Sequence, residues 1–134
     1  MKITKQQIDT FLDGKKMAMA GVSRNPKKFG YQVFDELTKK GFMVYPVNPE
    51  ASEINGVTSY KDIAALPDDV ENLFIATPKE QTGKVIEDAA KKGIKKIWIQ
   101  QMSDTPEALE KAKEAQMDVV HGKCMMMFAQ PVKG

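Results

Sequence analysis

Short apolar runs alternate along this chain with longer stretches whose apolar positions recur at three- and four-residue spacing. Ile8, Phe11 and Leu12 mark the first such stretch, a helix capped by Thr4 with Gln7 as capping-box partner and stopped at Gly14. Met17–Val22 is apolar on both faces, as in a strand covered on two sides. A helix follows over 30–40, with Val33, Phe34 and Leu37 inward, Lys39 and Lys40 at its end and Gly41 as terminator. Phe42–Val47 is the second strand, cut off by Asn48 and Pro49. Residues 50–58 read as a polar connection, and Ser59–Pro67 as a short helix ended by its proline.

Asn72–Ala76 is the third strand, after which Thr77 fits an N-cap and Pro78 a first helical residue. Val85, Ile86, Ala89 and Ala90 line the helix that ends at Gly93. Lys96–Gln100 forms a fourth strand, and a helix opening at 104–107 buries Ala108, Leu109 and Ala112. Asp118–Gly122 is a last strand, and the tail 123–128 returns apolar residues to the core. The alternation predicts a single-domain α/β fold over 1–134, a doubly wound and mainly parallel sheet of about five strands. Its strands all end on one rim, which gathers the turns at 21–28, 48–49, 77–78, 100–103 and 122–124.

Composition narrows the function classes. The 134 residues are 42% hydrophobic and 28% charged, ordinary for a globular protein with one core. Twenty basic against 18 acidic residues leave +2, too little for a general nucleic-acid binder. One cysteine, Cys124, excludes an internal disulfide framework and favours a reducing compartment. Met1–Gln7 lacks the apolar run of a signal peptide, and no stretch approaches a membrane span. The expectation is a cytoplasmic protein that binds neither nucleic acid nor membrane.

The candidate chemistry centres on 17–31, an apolar strand that runs into a turn with Gly21, Ser23, Asn25 and Pro26 and then into a helix. The first amides of a helix lack intrahelical partners and its dipole favours an anion there. Arg24, Lys27 and Lys28 add positive charge, Lys27 as solvated surface. A phosphate-rich nucleotide is the expected ligand. The dinucleotide fingerprint G-x-G-x-x-G fails, because Gly21 is followed by Val22-Ser23-Arg24-Asn25-Pro26, and the acid expected after the second strand is replaced by Asn48. A Walker A loop is absent.

Ala20–Pro26 with Phe29-Gly30-Tyr31, then Val44–Pro49, resembles the small bacterial and archaeal CoA-binding proteins, single Rossmann-like domains related to the CoA-binding domain of succinyl-CoA synthetase. The likeness continues through Ile54-x-Gly56, Tyr60, Ile75–Pro78, Trp98–Gln100 and Cys124–Met126. It departs after Gln100, where Gln101-Met102-Ser103 replaces a Gly-rich turn. The resemblance implies that Gly21, Val22, Ser23, Arg24 and Asn25 wrap the diphosphate of coenzyme A. Ser23 would donate a hydroxyl hydrogen bond, and Arg24 or Lys28 would pair with phosphate. Gly30 would allow a close helix start, Asn48 and Pro49 would meet ribose or adenine, and Thr77 and Pro78 would flank adenine or the pantetheine arm. Tyr31, Gln100 and Cys124 complete the implied site, with Cys124 able to meet the CoA thiol.

Other residues read more plainly. His121, the only histidine, has no Ser, Asp or second His at a meaningful spacing, which argues against a catalytic or metal role. Met125–Met127 and Trp98 fit core packing. The expected function is binding of coenzyme A or an acyl-CoA without catalysis, alone, as a homo-oligomer or with a partner enzyme. The alternative is a small NAD(P)-binding redox sensor or oxidoreductase subunit, which would need an acid or a phosphate-reading arginine after the second strand.

Overall fold

The computed structural model describes residues 3–132, so Met1, Lys2 and the last two residues of the expected domain lie outside the described residues. The strands are β1 (Lys16–Ala20), β2 (Met43–Val47), β3 (Glu53–Ile54), β4 (Val57–Thr58), β5 (Asn72–Ile75), β6 (Lys96–Gln100) and β7 (Asp118–Lys123). The helices are α1 (Lys5–Asp13), α2 (Phe29–Lys39), α3 (Lys79–Lys92), α4 (Pro106–Glu114) and α5 (Met125–Phe128). Five strands form one sheet in the order β2-β1-β5-β6-β7, every neighbouring pair parallel. This is the doubly wound, Rossmann-like fold that the alternation predicts.

Alternate side chains of the sheet feed two cores. Met17, Met19, Phe74, Trp98 and Val120 face α1, α2 and α5, whereas Ala18, Ala20, Leu73, Ile75, Ile97 and Ile99 face α3 and α4. Trp98 is fully buried, edge-on to Phe11 at 5.6 Å between ring centroids and 6.0 Å from Phe128. Its Nε1 donates to the Lys123 carbonyl (3.2 Å), so the indole spends its polar edge while its face packs. Pro46 sits in the edge strand β2, where its carbonyl accepts from Tyr60 N on the outer side (2.9 Å). A residue's N and C=O point the same way in a strand, so the missing N–H costs the ladder nothing.

Three local expectations are corrected. The polar connection 50–58 holds a hairpin, β3 with β4, turned by Asn55 (φ 52°) and Gly56 (φ 79°). Two successive left-handed residues are what an Asn-Gly turn supplies. The helix expected over Ser59–Pro67 shrinks to a 3₁₀ turn, Ile63–Ala65, capped by Asp62, because Tyr60 instead bridges to Val47 along β2. The first helix does stop at Gly14, its C-cap, in right-handed conformation (φ −65°), and the left-handed residue that then turns the chain is Lys15 (φ 57°). Thr77 does not cap α3: the cap position is Pro78, and the Thr77 hydroxyl is taken by Thr82 Oγ1 at 2.8 Å. The α1 capping box of Thr4 and Gln7 forms as read.

The sheet order reverses between β1 and β5: α2 carries the chain from β1 to one side, and the return passes to the other. Gly21 ends β1 at φ +92°, where a Cβ would lie 2.4 Å from the Ala76 carbonyl oxygen. Gly30, in the first turn of α2, approaches so closely that a Cβ would lie 2.0 Å from the Gly21 carbonyl oxygen. Neither obstacle is a movable side chain.

Two outcomes follow for stability. Gly30→Ala must push α2 away from the end of β1 and should lose about 1–3 kcal/mol in denaturant unfolding; an unchanged midpoint contradicts the contact. Trp98→Ala should lose about 3–5 kcal/mol by the same measurement, and a loss below 1 kcal/mol would mean that the indole is not the pivot of its core.

Candidate functional site

Parallel strands place every strand C-terminus on one rim, and the crevice opens where β1 and β5 part. A cleft of about 740 Å³ lies there, bounded by Gly21, Ser23 and Lys28–Gly30 on one side. Ala76–Pro78, Gln100–Ser103 and Cys124 close the other side.

Helix capping distinguishes α2 and α3 from α1 and α4. The Thr4 and Thr105 side chains accept from backbone amides and cap α1 and α4. At α2 the cap position is Lys28, which makes no capping bond, and the N–H groups of Phe29, Gly30 and Tyr31 have no partner among the described residues. At α3 the cap position is Pro78, again with no side-chain bond. Two helix N-termini therefore border the crevice without a side-chain cap, although at α3 the Gln81 N–H is taken by the Pro78 carbonyl (2.9 Å), and each carries the positive end of its dipole. Lys28 adds a full charge at the wall. A buried phosphate would find donors already aimed at it.

The structure brings Gly21, Ser23, Lys28, Gly30, Thr77, Pro78, Gln100 and Cys124 to this cleft. It does not bring the others. Val22 is buried in the core beside α2, with its carbonyl held by Asn48 Nδ2 at 2.9 Å. Asn48 Oδ1 accepts from Glu50 N at 2.8 Å, so both ends of the expected ribose contact brace the β2 turn. Pro49 is exposed beyond it. Asn25 Oδ1 accepts from Lys27 N (3.0 Å) and Ser23 Oγ from Asn25 N (3.0 Å), two local bonds that set the loop's curvature. The Ser23 hydroxyl proton is left for another acceptor. Arg24 is exposed on that loop outside the cleft wall. Tyr31 donates from its hydroxyl to Asn55 Oδ1 (3.2 Å) and ties α2 to the hairpin.

Several wall residues escaped sequence reasoning. Phe29 and Met102 line the cleft with 47% and 69% of their surfaces exposed, and Met102 stands at φ 78° in the turn after β6. A non-glycine residue in this conformation is strained, and the turn after Gln100 was the only signal pointing to it. Ser103 is buried and its carbonyl accepts from Thr82 Oγ1 (2.7 Å), which joins the β6 turn to α3. His121 has a partner that its spacing in sequence did not suggest: Asp104 Oδ2 lies 3.6 Å from its Nδ1. Among the described residues no cluster of His, Cys, Asp and Glu could hold a metal, and no helix is long and apolar enough to cross a membrane.

Known proteins share this fold. The alpha subunit of the ADP-forming acetate–CoA ligase II of Pyrococcus furiosus is 36% identical over 93 residues, 69% of this chain and 20% of that subunit. A hypothetical protein from Pyrococcus horikoshii superposes with a TM-score of 0.85 at 34% identity, covering 93% of this chain and 89% of that one. The apo form of a dinucleotide-forming acetyl-coenzyme A synthetase from Ca. Korarchaeum cryptofilum superposes at 0.73 with 27% identity, over 84% of this chain and 27% of that one. The chain thus spans about a fifth of the length of the ligase subunit it matches. A family model described as a CoA binding domain matches residues 15–130, and the chain belongs to that CoA-binding domain family, related to the acetate–CoA ligases.

Proposed function

We propose that the protein binds coenzyme A, free or acylated, in the cleft at the switch point, and that it performs no chemistry on the ligand itself. The observation that carries this reading is the pair of helix N-termini without a side-chain cap beside Lys28, whereas a threonine side chain caps each of α1 and α4. The diphosphate sits against the α2 amides and Lys28. The pantetheine arm then runs past Thr77 and Pro78 toward Gln100 and Cys124, which line the same cleft. Arg24, exposed outside the wall, meets the 3′-phosphate in this reading.

The NAD(P) reading draws less support. The residue that ends β2 is Asn48, whose amide is committed to Val22 and Glu50 rather than to a ribose. Catalysis likewise lacks a visible base beside a nucleophile at the wall, where Lys28 and Cys124 are the titratable side chains. The ligase relative is a subunit, so we extend the proposal to a partner enzyme or a second copy that receives the bound ligand, acting in the cytoplasm.

A thermal-shift panel tests the ligand class. CoA and acetyl-CoA should stabilise the protein by about 2.7 kcal/mol at 100 times Kd, with NAD, NADP and ATP well behind; a preference for NAD, or no response to any, contradicts the proposal. Calorimetry then separates the two cations. Lys28→Ala should weaken CoA and dephospho-CoA alike, by about tenfold for a lost charge-assisted contact, whereas Arg24→Ala should weaken CoA and spare dephospho-CoA. Equal losses for both ligands in Arg24→Ala would move that guanidinium to the diphosphate.

A further inference from the structure

Gln100 ends β6 with only 5% of its surface exposed, yet it lines the cleft. Its Oε1 accepts from the backbone N–H of Met125 at 2.9 Å. That amide is the first of α5 and can only donate, so it decides which way the side-chain amide faces. Nε2 is left with both protons and no partner among the described residues. It is not sealed in the core either: the one buried, unpaired side-chain polar atom among those residues is Asn72 Oδ1. The opening available to Nε2 is the cleft that Gln100 lines.

The backbone beside it is shaped to this end. Ile99 pairs with His121 but Gln100 pairs with Lys123, so β7 carries an extra residue at this row, Gly122 at φ +73°. Bulges are rare in parallel sheets, and they re-aim side chains next to functional sites. Here the bulge delivers Cys124 and the first amide of α5 to the rim, and that amide locks Gln100. An oriented NH₂ group in a largely buried wall accepts no donor and wants a carbonyl.

We propose that Gln100 is a specificity-determining residue whose Nε2 donates to a carbonyl of the ligand's pantetheine arm, an amide carbonyl or the thioester carbonyl of an acylated form. The inference rests on the CoA reading above. It explains why the wall distant from the phosphate site carries a fixed donor rather than a second cation. Phosphate binding needs charge, whereas a neutral arm of amides needs direction.

Gln100→Glu is the discriminating variant. A carboxylate keeps an oxygen for Met125 N–H and replaces the donor at the cleft with an acceptor. The unliganded variant should melt close to the parent. Its affinity for CoA, by calorimetry, should fall by about tenfold or more, while ADP, which has the diphosphate without the arm, changes by less than about threefold. Loss for CoA and acetyl-CoA alike assigns an arm amide; loss confined to acetyl-CoA assigns the thioester carbonyl. Equal losses for CoA and ADP, or none for CoA and acetyl-CoA, overturn the assignment. A parent protein that binds neither CoA nor acetyl-CoA overturns instead the reading on which it rests.

Discussion

The contact between Gly30 and the carbonyl of Gly21 is the constraint on which the rest of this site depends. Only a residue without a Cβ lets α2 begin so close to the end of β1, and only a left-handed residue lets β1 turn past Ala76. Two consequences come from that one approach. The helix start is pressed onto the switch point of the sheet, and its first amides face a crevice rather than bulk water. Lys28 then serves as a cap position that caps nothing, which leaves the amides for a ligand.

The sheet supplies the rigidity against which this works. β1 carries Met17 and Met19 toward α1 and α2 and only alanines toward the other layer, so that layer can pack close while the first is filled by bulk. Trp98 joins α1 and α5 to the same face, and its N–H holds the Lys123 carbonyl one residue before Cys124. The far wall of the cleft is thus anchored in the core through an indole, and the near wall through two glycines. Between them a chain from the Thr77 and Thr82 hydroxyls to the Ser103 carbonyl ties α3 to the turn after β6.

Much of this was legible along the chain. Apolar runs bounded by turn residues located all five main strands, because a parallel sheet buried on both faces demands them. The order of strands and helices then fixed the rim. What period and composition missed were features that depend on partners distant in sequence. The hairpin over 53–58 is two residues per strand, too short to show a period, although Asn55-Gly56 is a turn signal in its own right. Thr77 satisfies every local rule for an N-cap, yet Thr82 takes its hydroxyl. Asn48 ends a strand on the rim, yet Val22 and Glu50 claim its amide. The same logic hid Phe29 and Met102: nothing local marks an apolar residue as a wall rather than as core.

The central claim is that the crevice amides of the first crossover receive the diphosphate of coenzyme A. An amide-resolved NMR titration with CoA tests it most directly. The account predicts that the largest shifts fall on Gly21, Ser23, Phe29, Gly30 and Tyr31, with a second group from Thr77 to Lys79. Shifts gathered instead at the opposite ends of the strands, around Lys16, Asn72, Lys96 and Asp118, would contradict it.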